Sequence, residues 1–142
     1  MLIGEYRHNL DEKGRVAIPV KFRRELVKGA VVTHGLDNCL FLYTKANWEK
    51  WAEKLASLNI SQDSRAFSRL MLAGAMEVEI DKQGRAVLPE YLRRYAGLKK
   101  NVIVAGLYNR VEIWDEEKWN KYKTQTESKS NDIAEKMAQL GI

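Results

Sequence analysis

The chain has 142 residues, and its 45% hydrophobic content is enough to bury one core. No apolar run approaches the roughly eighteen residues that cross a bilayer, and the N-terminus lacks the pattern of a secretory signal. We therefore expect a soluble protein whose default compartment is the cytoplasm. The formal charge is +5, from 24 basic and 19 acidic residues, and the basic residues are concentrated in two segments, which favours an anionic partner.

The first predicted element is a strand followed by a tight turn and a second strand. Polarity alternates from Ile3 to Leu10, as in a half-buried strand. In the turn from Asp11 to Gly14, the aspartate can hydrogen-bond the bend and the glycine can take a positive φ. The segment from Arg15 to Ile18 then leaves as a short strand.

A short helix and a hairpin follow. Pro19 suits the first helical position, where its missing N–H costs nothing, and we expect the helix to end near Gly29. The apolar segments Ala30 to Thr33 and Cys39 to Tyr43 predict the two strands of a hairpin. Cys39 has no nearby cysteine or paired histidine, so we interpret it as a core thiol and not as a metal ligand.

The next predicted element is an amphipathic helix that Thr44 caps. Its apolar stripe falls at helical spacing and consists of Trp48, Trp51, Leu55 and Leu58. Aromatic residues in such a stripe could stack on nucleic-acid bases, but we favour the interpretation that they anchor the helix to the sheet. A polar connector over residues 59–64 and a linking helix from Arg65 to Ala75 complete the first half.

The second half repeats the first. Residues 81–94 match residues 11–24 at six of fourteen positions, where composition alone predicts about one match. The identical residues are Asp11, Gly14, Arg15, Pro19, Arg23 and Arg24, and Asp81, Gly84, Arg85, Pro89, Arg93 and Arg94. After a one-residue slip, the hairpin recurs over 102–105 and 111–114, and the helix recurs from Asp115. Modules of about 50 residues are marginal alone, so we expect the halves to pack on each other.

The tail is polar from Thr124 to Asn131, and we expect it to fray. A short amphipathic helix could form over Ile133, Met137 and Leu140. Together the elements predict an α+β chain in four segments. These are a first module with its C-terminal helix over 1–58, a linker helix over 59–75, a second module with its C-terminal helix over 76–126, and a polar tail over 127–142.

The sequence gives no sign of catalytic chemistry. It has no Ser/His/Asp set, no clustered metal ligands and no phosphate-cradling glycine loop. We therefore expect no enzymatic activity, no cofactor, no metal, no small-molecule substrate and no membrane partner.

The arginine that follows each turn is the strongest functional signal. A generic hairpin needs its aspartate and glycine but places no demand on Arg15 or Arg85. Each arginine could pair with the turn aspartate at the surface, which contributes at most about 1 kcal/mol. We favour the alternative, in which Asp11 and Asp81 orient guanidinium groups that grip a phosphate or pair with guanine O6 and N7.

The helical arginine pairs are a second candidate. Adjacent side chains on a helix point about 100° apart, so we do not expect both members of a pair to be buried. One of Arg23 and Arg24, and one of Arg93 and Arg94, could contact phosphate. A solvated helix face or an intersubunit ion pair accounts for the pattern equally well.

These motifs resemble the MraZ family of bacterial transcriptional regulators. The resemblance covers nearly the whole chain and rests on two Asp-x-x-x-Arg turns, each followed by a proline and a helical arginine pair. It also includes Gly4-Glu5-Tyr6 to Leu10, Phe67-Ser68-Arg69 and Gly74-Ala75. It implies an AbrB-like, swapped-hairpin β-barrel fold, in which two halves of one chain form a pseudo-dimer with flanking helices.

The resemblance also implies a function. Family members bind G-rich direct repeats in double-stranded DNA upstream of the division and cell-wall gene cluster, usually as repressors, and form ring-shaped homo-oligomers that are often octameric. The DNA-binding motif of the family falls on Asp11 and Arg15 and on Asp81 and Arg85. We therefore expect a nucleoid-associated regulator in the cytoplasm. Its expected DNA contacts are Asp11, Lys13, Arg15, Arg23, Arg24, Asp81, Lys82, Arg85, Arg93 and Arg94.

The two turns are chemically unequal, which leaves open whether both copies read bases. Lys13 has Gln83 as its counterpart, and Glu12 has Lys82. A second function class also stays open, a ring-forming structural or scaffold protein whose arginines serve subunit contacts. Arg15→Ala separates the two classes, because it should weaken DNA binding in a regulator and change assembly in a scaffold.

Overall fold

A computed structural model of the chain describes residues 1–58 and 60–142, so Asn59, where the predicted polar connector begins, lies outside the described residues. The first copy contains β1 (Leu2–Asn9), β2 (Arg15–Ala17), α1 (Val20–Leu26), β3 (Ala30–His34), β4 (Leu40–Thr44) and α2 (Lys45–Ala56). The linker contains α3 (Gln62–Ser68) and a π-helical segment (Arg69–Ala73). The second copy and the tail contain β5 (Met76–Val78), β6 (Arg85–Val87), α4 (Glu90–Ala96), β7 (Asn101–Tyr108), β8 (Val111–Asp115), α5 (Glu116–Ser128) and α6 (Ser130–Gln139). None of these helices has the length and apolar character that a membrane span needs.

Strands are exchanged between the two copies. β1 pairs antiparallel with β7 along its whole length, from Leu2 opposite Tyr108 to Asn9 opposite Asn101. β5 pairs with β3 of the first copy, and β2 pairs with β6 in a separate two-stranded ribbon. The main sheet therefore has the order β1-β7-β8-β4-β3-β5, and it joins both copies. This exchange confirms the predicted fold class, an α+β chain of tandem AbrB-like modules that form an intrachain pseudo-dimer with flanking helices.

One hydrophobic core is shared by the two copies. Its fully buried residues include three pairs at equivalent positions of the repeat: Val16 and Ala86, Ile18 and Leu88, and Phe22 and Leu92. Burying one such large side chain contributes about 1.5–3 kcal/mol. Because these residues pack in a single cluster, neither copy would keep its core without the other, as the short length of each module predicted.

The repeated prolines precede the short helices instead of opening them. Pro19 and Pro89 are N-cap residues with ψ values of 137° and 144°, one position earlier than the sequence predicted. The reason lies in the residue before each proline, because the N–H of Ile18 donates to the carbonyl of Gly84 at 2.8 Å and holds the chain extended. α1 also ends earlier than predicted, before Gly29, whose φ of +131° is incompatible with a helix.

The aromatic residues of α2 and α5 anchor these helices to the sheet. The ring pairs are Tyr43 with Trp48, at 5.6 Å between centroids, and Trp114 with Trp119, at 5.3 Å. Both belong to a second buried cluster on the other face of the sheet from the shared core. Thr44 caps α2 as predicted, and Asp115, the predicted start of the second helix, is the N-cap of α5. Leu58, the last residue of the predicted stripe, is exposed.

The linker bridges the two copies, as the sequence predicted. It forms as a short helix followed by a π-helical segment instead of one continuous helix. The hydroxyl of Thr33, in the first copy, donates to the carbonyl of Met71 at 2.6 Å, and this bond is buried. The hydroxyl of Tyr91, in the second copy, donates to the carbonyl of Gly74 at 2.9 Å. The π-helical turn is therefore held from both sides.

The tail is more helical than its polarity suggested. α5 continues to Ser128, and α6 follows almost at once, so the stretch expected to fray is largely helical. Glutamate, lysine and glutamine favour helix without needing a packed face, which explains why apolar anchors were not required. The apolar residues of α6, Ile133 and Met137, are exposed.

Candidate nucleic-acid interface

The first turn is closed by the side chain of Asp11. Its Oδ1 accepts the backbone N–H groups of Lys13 and Arg15 at 2.9 and 2.8 Å, and its Oδ2 accepts the Nε–H of Arg15 at 2.6 Å. Gly14 donates its N–H to the carbonyl of Asp11 at 3.0 Å and takes a φ of +78°, which favours glycine. One aspartate therefore fixes both the bend of the backbone and the direction of the arginine.

The second turn repeats each of these hydrogen bonds. Oδ1 of Asp81 accepts the N–H groups of Gln83 and Arg85, both at 2.9 Å, and its Oδ2 accepts the Nε–H of Arg85 at 3.1 Å. The backbone N–H of Arg85 is the main cause that holds the pKa of Asp81 below its ordinary value, and that of Arg15 acts in the same way on the pKa of Asp11. Both carboxylates are therefore ionised at neutral pH and can pair with the arginines.

The ribbon of β2 and β6 places the two arginines on one face. Arg15 lies opposite Val87, and Arg85 lies opposite Ala17. The middle residues of both strands, Val16 and Ala86, are fully buried. Since side chains alternate along a strand, Arg15 and Arg85 stand on the outer face, at diagonal positions whose Cα atoms are about 7–8 Å apart. Two aspartate-clamped arginines thus share one exposed two-stranded surface.

Both guanidinium groups keep atoms available for a ligand. The side chains of Arg15 and Arg85 are 27% and 29% exposed. Each uses its Nε–H on the aspartate, and within residues 1–58 and 60–142 no hydrogen bond involves their Nη groups. The two Nη groups of an arginine are the donors that form a planar fork with phosphate or with guanine O6 and N7. The aspartates therefore hold the arginines without using up their recognition edge.

The tips of the turns carry further charges. Lys13 and Lys82 are exposed, and neither makes an ion pair in the part of the chain that the structure describes. Glu12 and Gln83 are also exposed and occupy the matching positions of the opposite copy. Both predicted lysines are thus accessible, but at different positions of their turns.

Arg23 and Arg93 are half-buried and belong to the scaffold of the turns. The Nε–H of Arg23 donates to the carbonyl of Ile18 at 2.8 Å, and that of Arg93 donates to the carbonyl of Leu88 at 2.9 Å. Their guanidinium groups lie against the glycine of the opposite copy, which sequence reasoning missed. The repetition of both the arginine and the glycine was the available signal, but nothing in the sequence indicated that the copies cross.

Arg24 and Arg94 are exposed on their helices, which agrees with the expectation that both members of a pair are not buried. Arg94 pairs with Glu90 at 2.9 Å, whereas the structure records no ion pair for Arg24 among the described residues. The structure therefore places Arg15 and Arg85 on one face of the ribbon, each held by its turn aspartate. It places Arg23 and Arg93 beneath that surface.

An apolar groove is separate from the turns. It has a volume of about 540 Å³ and is lined by residues that include Leu36, Phe41, Trp51 and Tyr108. Leu36 and Tyr108 are 51% and 71% exposed at the tips of the two hairpins. No group of three or more potential metal ligands occurs among residues 1–58 and 60–142. Cys39 is fully buried, and burial raises the pKa of its thiol, which confirms it as a core residue.

Known proteins match this chain along its full length. The family model "MraZ protein, putative antitoxin-like" matches twice, at residues 1–70 and 71–141. Proteins named "Transcriptional regulator MraZ" from Natranaerobius thermophilus, Acetivibrio thermocellus and Syntrophomonas wolfei are 50%, 51% and 49% identical to it over 100% of each chain. The solution structure of PHS018 from Pyrococcus horikoshii is 13% identical over 80% of this chain and 88% of its own, with a TM-score of 0.32, which is too low to establish a common fold. The repeated turns, the exchanged strands and the full-length matches agree, and the chain belongs to the MraZ family.

Proposed function

We propose that this chain is a sequence-specific DNA-binding transcriptional regulator. Its relatives bear the name of transcriptional regulators, a class that is not enzymatic. The observation that carries the proposal is the outer face of the β2–β6 ribbon, where Arg15 and Arg85 stand side by side with their Nη groups available. The proposed partner is double-stranded DNA, and the proposed location is the nucleoid within the cytoplasm.

The two-stranded form of the ribbon is one that the major groove of DNA admits. A two-stranded ribbon fits that groove, and arginine paired with guanine O6 and N7 is the commonest specific contact made there. The aspartate clamp reduces the side-chain freedom that each arginine loses on binding. Lys13, Lys82, Arg24 and Arg94 are proposed to contact phosphate, which sets orientation and adds affinity without reading bases.

A ring of subunits would multiply these contacts. We propose that the chain forms a ring-shaped homo-oligomer, that the ring binds G-rich direct repeats upstream of the division and cell-wall gene cluster, and that binding represses this cluster. A head-to-tail ring presents the same face at regular angles, which suits direct repeats. The exposed apolar residues at the hairpin tips, Leu36, Leu107 and Tyr108, support self-association. Linkage of several weak contacts could raise the affinity by about 10² or more.

The alternative is a ring-forming scaffold whose arginines serve subunit contacts. What argues against it is that another surface is available for assembly. The groove lined by Leu36 and Tyr108 offers a contact surface for assembly that does not require the arginines.

The test is a promoter-binding series with Arg15→Ala and Arg85→Ala. Binding of wild type and both variants to labelled genomic promoter fragments is measured over a range of salt, with the oligomer size of each checked in parallel. Arg24→Ala is the matched control, since Arg24 is exposed on a nearby helix. The proposal expects loss of promoter preference with an intact oligomer in the turn variants, and a uniform weakening with a shallower salt slope in the control. Unchanged binding, or a collapsed oligomer, would favour the scaffold.

A further inference from the structure

The crossing of the two copies assigns a partner to each half-buried helical arginine. The N–H of Ile18, which leads into α1, donates to the carbonyl of Gly84 at 2.8 Å. The N–H of Leu88, which leads into α4, donates to the carbonyl of Gly14 at 2.8 Å. The chain that enters each helix is therefore bonded to the turn of the opposite copy.

The arginine side chains reinforce this crossed contact. Arg23 folds back so that its Nε–H reaches the carbonyl of Ile18, and this brings the guanidinium group over Gly84. A Cβ atom at Gly84 would lie 2.2 Å from Cζ of Arg23, and one at Gly14 would lie 2.7 Å from Cζ of Arg93. Such short distances mean that each guanidinium packs directly on the backbone of the opposite turn. Both glycines are buried.

We propose that each reading turn is positioned by the helical arginine of the other repeat. Arg23 positions the turn from Asp81 to Arg85, and Arg93 positions the turn from Asp11 to Arg15. The aspartate clamp fixes the internal shape of a turn, whereas the packed guanidinium fixes how the turn is set against the ribbon. Among the described residues, the atoms nearest to a Cβ at Gly14 or Gly84 belong to Arg93 and Arg23, and none of them belongs to the exposed neighbours Arg24 and Arg94.

This assignment predicts a crossed pattern of mutant effects. Arg23 is near Arg15 in the sequence, so a model of two independent modules links Arg23→Ala to the first turn. The crossed contact links it to the second turn instead. The part of the prediction that concerns DNA rests on the proposed function, but the part that concerns the turns does not.

The first test uses amide hydrogen exchange in the full-length protein without DNA. The amides of Gln83 and Arg85 report on the second turn, and those of Lys13 and Arg15 report on the first, because each is bonded to its turn aspartate. Arg23→Ala should accelerate exchange on the order of tenfold in the second turn and leave the first nearly unchanged, as expected for loss of a local contact. Arg93→Ala should do the reverse, and Arg24→Ala and Arg94→Ala should change neither turn.

General destabilisation is distinguishable from this result, because it would accelerate both turns alike. Equal acceleration, acceleration confined to the turn of the same repeat, or no change would each overturn the proposal. If Arg23→Ala does not fold, Arg23→Lys is measured in the same way, since lysine keeps the charge and the stem but lacks the Nε–H that reaches Ile18. Faster exchange confined to the second turn of that variant supports the proposal, and any other result overturns it.

The second test compares base preferences on operator variants that each carry one substituted base pair. The affinity of Arg23→Ala should stop depending on the base pair at the same operator positions as that of Arg85→Ala. The affinity of Arg93→Ala should stop depending on it at the same positions as that of Arg15→Ala. If Arg23→Ala instead matches Arg15→Ala, and Arg93→Ala matches Arg85→Ala, the proposed positioning roles are wrong. If the wild type binds no DNA selectively, the proposed function fails, while the exchange result still decides whether the arginines position the turns.

Discussion

The turns at Asp11–Arg15 and Asp81–Arg85 share a backbone and differ at their tips. Every hydrogen bond that shapes the first turn has a counterpart in the second, and their glycines have φ values of +78° and +79°. Yet the first turn carries two acidic and two basic side chains, whereas the second carries one acidic and two basic. The geometry of recognition is therefore duplicated, while the electrostatic surroundings are not.

This contrast separates what the fold requires from what a ligand could select. Aspartate and glycine recur because they shape the turn, and arginine recurs as the donor that the aspartate orients toward a ligand. Glu12 and Lys82 are exposed and lie outside the hydrogen bonds of the turn, so the fold leaves these positions unconstrained. We therefore expect the charges at the tips to cause any difference in DNA binding between the two turns. We expect the contacts of Gly14 and Gly84 to cause any difference in stability.

Removing both reading arginines should have the largest effect. The double variant Arg15→Ala/Arg85→Ala loses two contacts that contribute about 1–3 kcal/mol each, so binding to the specific operator should weaken by roughly 2–6 kcal/mol. Fluorescence anisotropy with specific and scrambled operators checks this. If the two turns are equivalent, the single variants lose equal amounts. A single variant that matches the double would mean that only one copy reads bases.

Filling the turn glycines should have the next largest effect, and it should be unequal. Gly84→Ala and Gly14→Ala both force a side chain into positive φ, which costs about 1–3 kcal/mol. Gly84→Ala should cost more, because a Cβ 2.2 Å from Cζ of Arg23 moves that side chain further from its bond to Ile18 than a Cβ 2.7 Å from Cζ of Arg93 moves Arg93 from its bond to Leu88. Urea unfolding measures the difference. Repeating Gly84→Ala in an Arg23→Ala background removes the clash with Arg23. If Gly84→Ala lowers the free energy of unfolding by as much there as in the wild type, the clash does not explain the difference.

Exchanging the tip charges should have a smaller effect that depends on salt. Glu12→Lys should strengthen DNA binding and steepen the salt dependence by up to about 0.9 in slope for each phosphate gained, and Lys82→Glu should do the opposite. The double exchange keeps the net charge and serves as the control. If it restores the wild-type slope, the two tips reach DNA equally well. If only one of the two substitutions changes the salt dependence of binding, only the turn that carries it faces the phosphates.

Mild acidification should have the smallest effect. The pKa values of Asp11 and Asp81 are lowered in the folded turn, chiefly by the backbone N–H of the following arginine. Their contribution to the turn is therefore fully present above the ordinary aspartate pKa and is lost only as the pH falls through the lowered folded pKa. Titration followed by carboxyl carbon NMR should give midpoints below 3.8 for both residues. A midpoint at or above that value in either turn would mean that its clamp is not formed in solution.

The sequence predicted most of the local structure because local signals determine it. Asp11 and Gly14 define a turn, Thr44 and Asp115 cap helices, and the spacing of Trp48 and Trp51 indicates a packed face. Each of these features acts within a few residues, so no knowledge of distant partners is needed. The repeat and the family resemblance then supplied the exchanged architecture, which local patterns could not.

The parts that the sequence missed depend on contacts between the copies. Pro19 is the N-cap of α1 and not its first residue, because Ile18 bonds to Gly84 of the opposite copy, a contact that no local pattern indicates. The same crossing turns Arg23 and Arg93 into half-buried contacts of the opposite glycine. Helical spacing predicted that both members of an arginine pair would not be buried, but it could not identify what the half-buried one touches.

The pairing of β1 with β7 has a consequence for synthesis on the ribosome. Leu2 pairs with Tyr108, so it cannot form its strand pair until Tyr108 has been synthesised. At about 5–20 residues per second, the N-terminal strand stays unpaired for roughly 5–20 seconds after it leaves the exit tunnel. An unpaired strand edge is a template for other chains, and neighbouring nascent chains on one messenger carry the same edge. Slower translation of the segment between β4 and β7 should therefore lower soluble yield, even though the finished protein is unchanged.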